Sequence, residues 1–133
     1  MGGAERILVV EDDPSFRRVV EVNLTARGYL VDVADSGRAA LELIELQPDL
    51  IVLDLGLPDI DGIDLITQLR TSVVTPILVA SARDVGAAKP AALRAGANDY
   101  LAKPFAVQQL LSRVHAILSS HPPPNGHSMR FSA

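Results

Sequence analysis

The chain has no cysteine and no tryptophan, and its two tyrosines and three phenylalanines make up only 4% of 133 residues. Without cysteine, disulfides and thiolate metal sites are excluded. With so few rings, a hydrophobic content of 48% has to build an aliphatic core, which suits buried parallel strands and the helices packed on them. No apolar run approaches the ~20 residues that span a bilayer. The opening MGGAER lacks the apolar centre of a signal peptide, and Arg6 breaks the myristoylation pattern that Met-Gly could begin. There is no basic run: 12 basic against 16 acidic residues give a net charge of −4, which argues against direct binding of nucleic acid. No G-x-G-x-x-G follows a strand-like run, which argues against a dinucleotide or flavin site. The length predicts one domain, and a soluble cytoplasmic protein is the default reading.

What is present is a regular alternation. Apolar runs occur at ILVV (7–10), YLVDVA (29–34), LIVL (50–53), PILVA (76–80) and DYLA (99–102). Segments of helical period lie between them. Asp13-Pro14 reads as an N-cap and first helical residue, followed by Val19, Val20 and Leu24, with Gly28 as the stop. Ser36 caps a helix whose apolar side holds Ala40, Leu41 and Ile44 and which ends before Pro48. Ile63, Ile66 and Leu69 mark a third helix, and Val107 to Leu118 a fifth. The fourth crossover departs from the pattern. Pro90 removes a helical hydrogen bond and disfavours helix at Lys89, so the expectation is a long loop and a shortened helix from about Pro90 to Ala95, ended by Gly96. Five strand–helix repeats predict an α/β domain with a parallel sheet covered on both faces. Residues 1–119 are assigned to it. Residues 120–133 read as a proline-rich, extended tail.

In such sheets ligands bind beyond the carboxyl ends of the strands. The residues found there are Glu11, Asp12 and Asp13, then Asp54, Ser81 and Lys103. Carboxylates with nearby carbonyls form a hard oxygen site suited to Mg²⁺. One carboxylate could then act as a nucleophile toward a phosphoryl group, with the hydroxyl and lysine holding its oxygens. Asp54 stands out because it ends a run of buried aliphatics. Asp13 reads mainly as a helix cap. Asp49 precedes the strand, Asp59 and Asp61 read as turn residues with Gly62 supplying backbone freedom, and Asp64 suits the first turn of a helix. His115, His121 and His127 have no metal-ligand spacing.

ILVVEDD, DLIVLDLGLPDIDG, PILVASAR and AGANDYLAKPF, in that order, resemble the receiver domain of a two-component response regulator over residues 6 to about 119. DLGLPDIDG and DYLAKPF resemble the OmpR/PhoB class, and DLGLPD its KdpE-like branch. The resemblance implies a flavodoxin-like (βα)5 fold with strand order 2-1-3-4-5. It implies that Asp54 is the phosphoacceptor and that Mg²⁺ is held by Glu11, Asp12, Asp54 and the carbonyl of Gly56. It assigns Ser81, Lys103 and Tyr100 to phosphoryl binding and switching, with Tyr100 turning inward on activation. Pro104 is assigned to a cis peptide. It further implies a sensor histidine kinase as partner and a homodimer through the face of the fourth helix, fifth strand and fifth helix. Lys89, Asp99 and Arg113 are candidate charges on that face. Asn98 and Gln109 stand where acids are usual, so dimerisation is expected to be weak or differently built. DNA would be bound only through a winged-helix output domain missing from this chain, although a stand-alone receiver is an alternative. Two other functions compete with this one. An interaction-only receiver is opposed by the complete acid, hydroxyl and lysine set. An aspartyl-nucleophile phosphatase would need a second acid two residues after the nucleophile, where this chain has Gly56.

Overall fold

The computed structural model describes residues 4–121. The five apolar runs become the strands β1 (Arg6–Val10), β2 (Leu30–Ala34), β3 (Leu50–Leu53), β4 (Ile77–Ser81) and β5 (Asp99–Ala102). They form one parallel sheet in the order β2-β1-β3-β4-β5, the flavodoxin-like arrangement expected. The helices between and after them are α1 (Pro14–Ala26), α2 (Gly37–Leu43), α3 (Gly62–Leu69), α4 (Val85–Ala95) and α5 (Val107–Ser120). A single 3₁₀ turn, Ile44–Leu46, follows α2. The proline-rich tail lies outside the described residues, apart from Ser120, which ends α5, and His121, which follows it.

Side chains alternate across the sheet, and helices cover both faces. Ile7, Val9, Leu50, Val52, Leu78, Ala80 and Leu101 pack with Val20 and Leu24 of α1 and Leu110, Leu111 and Val114 of α5. Leu8, Val10, Ile51, Leu53, Ile77, Val79 and Tyr100 pack with Ala40 of α2, Leu65, Ile66 and Leu69 of α3, and Ala88 and Ala92 of α4. This double burial explains why the central strands are uninterrupted aliphatic runs. The predicted caps form. The Asp13 carboxylate accepts from the Ser15 N–H at 3.0 Å, and the Ser36 hydroxyl from the Ala39 N–H at 3.1 Å. Gly28 follows α1 with φ +94°, a conformation that side chains disfavour.

Within α1, Val20 and Leu24 are buried and Val19 is 43% exposed. Two expectations are corrected. The fourth helix is not shortened: α4 begins at Val85, and Pro90 lies inside it. Asp84 caps this helix by accepting from the Gly86 N–H at 3.2 Å. Ala88 and Ala92, one turn apart, bury the inner face. Pro90 and Gly86 are both exposed, so the carbonyl that Pro90 leaves without a helical donor faces water. Gly62 does not supply a left-handed turn. It is buried at the start of α3, where an added Cβ would lie 2.4 Å from the Leu55 Cα. Glycine is required there by close packing of backbone on backbone.

These corrections have measurable consequences. Pro90→Ala should raise the denaturant midpoint by the equivalent of about 1–2 kcal/mol, because alanine restores a helical N–H in a helix that already exists. Were Pro90 instead the boundary of a short helix, the change would be near zero. Gly62→Ala should lower stability by about 1–3 kcal/mol, since the methyl group meets backbone that cannot rotate away.

Candidate functional site

The sheet register brings the candidate residues together. Val10 lies beside Leu53, Leu53 beside Val79, and Ser81 beside Ala102. The hydrogen-bond ladder then runs one residue further. The Asp54 N–H donates to the Val10 carbonyl at 3.0 Å, Glu11 N–H to Ala34 at 2.9 Å and Lys103 N–H to Ser81 at 2.8 Å. Glu11, Asp54, Ser81 and Lys103 are therefore fixed by backbone at the same edge, as inferred from the ends of the apolar runs.

Carboxylate oxygens of Glu11, Asp12 and Asp54 all lie within 4.8 Å of one another. Glu11 is buried, Asp54 partly so and Asp12 exposed, which leaves one side of the cluster open to solvent. Hard oxygen donors at this spacing fit a small divalent cation that keeps some of its water. The Lys103 ammonium lies 2.8 Å from Glu11 Oε1 and 3.6 Å from Asp54 Oδ2. The other Glu11 oxygen accepts from the Asp13 N–H at 3.1 Å. Burial pushes the Glu11 carboxyl above its usual range and the nearby Asp54 charge adds to this, while Lys103 and the Asp13 N–H oppose it.

Ser81 is buried at the end of β4, and its hydroxyl accepts from the Arg83 N–H at 3.2 Å. The Lys103–Pro104 peptide is cis, as assigned. Gly56 is exposed on the loop after Asp54, and its N–H points to Asp54 Oδ1 at 3.4 Å. Tyr100 lies inside the fold in this structure. Its ring is 4% exposed in the cluster with Ala88 and Ala92, and its hydroxyl lies 3.4 Å from the Arg83 carbonyl. Small alanines on α4 accompany the ring in this cluster. Lys89, Asp99 and Arg113 lie away from the acids. Asp99 and Arg113 pair with each other at 3.0 Å, and Lys89 is exposed with no ion pair among the described residues. Asn98 and Gln109 have structural work. The Asn98 side-chain oxygen accepts from the Ile77 N–H and from Arg70, and the Gln109 oxygen accepts from the Ala106 N–H.

Several residues escaped the sequence reading. Arg83 pairs with Asp61 and donates to the Leu55 carbonyl at 3.2 Å, tying the loop after β3 to the loop after β4. Asp61 is also the N-cap of α3, and Asp59 accepts from the N–H groups of Gly37 and Arg38 at the start of α2. Both acids had read as turn residues. The cap at Asp61 is local and could have been read from Asp-Gly before the apolar helix, whereas Arg83, Gly37 and Arg38 are more than twenty residues from their acids and no local pattern announces those contacts. Phe16 carries no signal of its own in the sequence, yet its ring lies under the Lys103 ammonium. A cavity of about 620 Å³ lies elsewhere, lined by Pro48, Asp49, Val73, Val74, Pro76 and their neighbours at the opposite end of the sheet.

Residues 7–115 match the family model for the response regulator receiver domain. The chain belongs to that family. It is 45% identical over 111 residues to the transcriptional regulatory protein KdpE of Mycobacterium tuberculosis, covering 83% of this chain and 49% of the relative. It is 46% identical over 123 residues to the response regulator MprA of Mycolicibacterium vanbaalenii, covering 91% and 53%. Both relatives are response regulators of the OmpR/PhoB class, and the chain spans about half their length. Among solved structures, the BeF3-activated receiver domain of RstA from Klebsiella pneumoniae superposes with a TM-score of 0.80 at 33% identity, covering 84% of this chain and 97% of that one. A CheY-like receiver domain from Methanospirillum hungatei gives 0.84 at 26% identity, covering 90% and 97%. Among the described residues no helix is long and apolar enough to cross a membrane.

The ion pair that frames this receiver's site has a defined pH signature. Arg83 holds the Asp61 carboxyl below its usual 3.8. A depressed acid stabilises the fold at pH values above 3.8, and that contribution fades as pH falls through the lowered value. In a carboxyl NMR titration, Asp61 should titrate below 3.8 in the unaltered chain and move up toward 3.8 in Arg83→Gln. An unchanged midpoint would show that the pair does not persist in solution.

Proposed function

We propose that the chain is a phosphoryl-accepting switch in which Asp54 takes a phosphoryl group from a sensor histidine kinase. The observation that carries this reading is the Lys103 ammonium set 2.8 Å from Glu11 and 3.6 Å from Asp54, beside the three-acid cluster. Glu11, Asp12, Asp54 and the Gly56 carbonyl would hold Mg²⁺. When bound, the ion supplies positive charge that offsets repulsion between the acids and an incoming phosphoryl group. An oxygen of Asp54 attacks phosphorus while the bond to the donor imidazole nitrogen breaks; with the donor ring protonated on its other nitrogen, the products are an acyl phosphate on Asp54 and a neutral histidine on the donor. Lys103 is close enough to move from Glu11 to the new phosphoryl oxygens, and Ser81 stands at the adjacent strand end to meet them. Hydrolysis of the acyl phosphate resets the chain, so catalysis is confined to its own phosphorylation and dephosphorylation.

The added charge would bias the face formed by α4, β5 and α5. A homodimer on that face and control of a DNA-binding output domain in the cytoplasm complete the reading. Both extend from the OmpR/PhoB-class relatives, which are about twice as long. Incubated with acetyl phosphate and Mg²⁺, the chain should gain one phosphoryl group by intact-mass spectrometry. Removing Mg²⁺ with a chelator, or substituting Asp54→Asn, should abolish the adduct. An adduct that persists in Asp54→Asn contradicts the assignment.

A further inference from the structure

We propose that Phe16 is a positioning residue for phosphoryl capture, its ring holding the Lys103 ammonium at the point from which it can reach Asp54. The inference rests on the reading of Asp54 as acceptor and Lys103 as its partner. The Lys103 Nζ sits 4.1 Å from the centroid of the Phe16 ring, well inside the range over which the ring's negative face attracts a cation. Phe16 is itself held. It stands in the first turn of α1 behind the Asp13 cap, and the ring of Phe105 meets it edge to face with centroids 5.6 Å apart. Both rings pack against the apolar cluster shared by α1 and α5.

The arrangement answers a need particular to this site. A lysine ends in a point charge on a flexible four-carbon stem, so its position must be set by its surroundings. Three carboxylates already converge there. A fourth would hold the ammonium, but it would repel the phosphoryl group and keep the lysine for itself. A ring face attracts the cation while adding no net charge, and it competes poorly with phosphoryl oxygens for N–H donors. It lies 4.1 Å from the ammonium, while Glu11 Oε1 and Asp54 Oδ2 lie 2.8 and 3.6 Å from it. The ring can therefore accompany the ammonium across the short path from Glu11 to Asp54. An aliphatic side chain would fill the same space without this attraction, leaving the lysine to Glu11 or to water.

The test is the rate of phosphorylation of the full chain by acetyl phosphate with Mg²⁺, read by intact mass, with the unfolding midpoint measured in parallel. Phe16→Leu should slow the maximal rate about two- to thirty-fold, the span from an exposed to a desolvated cation–ring attraction converted to a rate ratio. Phe16→Trp should restore it. Pentafluorophenylalanine at position 16 keeps the ring's shape and reverses its polarity, so it should be slow like the leucine variant. In a Lys103→Ala background, Phe16→Leu should bring no further loss, because its effect runs through the ammonium. A fluorinated chain that reacts as fast as the unaltered one, or an equal loss with and without Lys103, overturns the positioning role and leaves the Asp54 assignment standing. An unaltered chain that gains no adduct at Asp54 overturns both. If Phe16→Leu proves unstable, the fluorinated chain alone decides.

Discussion

The site depends on balancing three carboxylates whose oxygens lie within 4.8 Å of one another. Gathering like charge at a sheet edge is unfavourable, and a buried acid such as Glu11 bears most of the cost. Lys103 is the chain's own answer. Its ammonium sits against Glu11 and within reach of Asp54, and the backbone bond from Lys103 to Ser81 fixes where the side chain departs. Much of the surrounding structure serves to keep this compensation in place. The parallel register aligns the strand ends, Asp13 caps α1 and donates its N–H to Glu11, and Phe16 lies beneath the lysine.

A second layer of charge holds the loops that frame the site. Arg83 bridges Asp61 and the Leu55 carbonyl, while Gly62 packs directly on Leu55. The eight residues from Asp54 to Asp61 are thus closed on themselves and tied to the loop after β4. Asp59, at the same turn, reaches across to the start of α2. A loop anchored at so many points can present a carbonyl and a carboxylate at fixed separation, which is what a small cation requires of its ligands. Tyr100 shares in this frame, because its hydroxyl approaches the Arg83 carbonyl.

The parts of this structure that were legible in the sequence are those written in local pattern. Uninterrupted aliphatic runs marked the strands, and the residue after each run marked the site, because strand ends in a parallel sheet share an edge. Asp13-Pro14, Ser36, Gly28 and Gly96 fixed helix boundaries through chemistry that acts within a turn or two. The start of α4 was misread because proline is weighed locally. The cap at Asp84 and the buried alanines at 88 and 92 outweigh one missing hydrogen bond on an exposed face. Arg83, Phe16 and the second roles of Asp59 and Asp61 were illegible for a different reason. Each acts on a partner that only the fold brings near, so no spacing rule could expose it. Gly62 read as a turn glycine, and only three-dimensional contact distinguishes freedom of backbone from lack of room.

On phosphorylation, Lys103 is expected to exchange its resting partner Glu11 for the group on Asp54. A crystal structure of this chain with Mg²⁺ and beryllofluoride, a stable stand-in for the acyl phosphate, tests it directly. The expected result is beryllofluoride on Asp54, the Lys103 ammonium bonded to a fluorine and withdrawn from Glu11, and Glu11 turned toward the metal. Lys103 still paired with Glu11 in the fully loaded site, or beryllofluoride bound elsewhere than on Asp54, would contradict it.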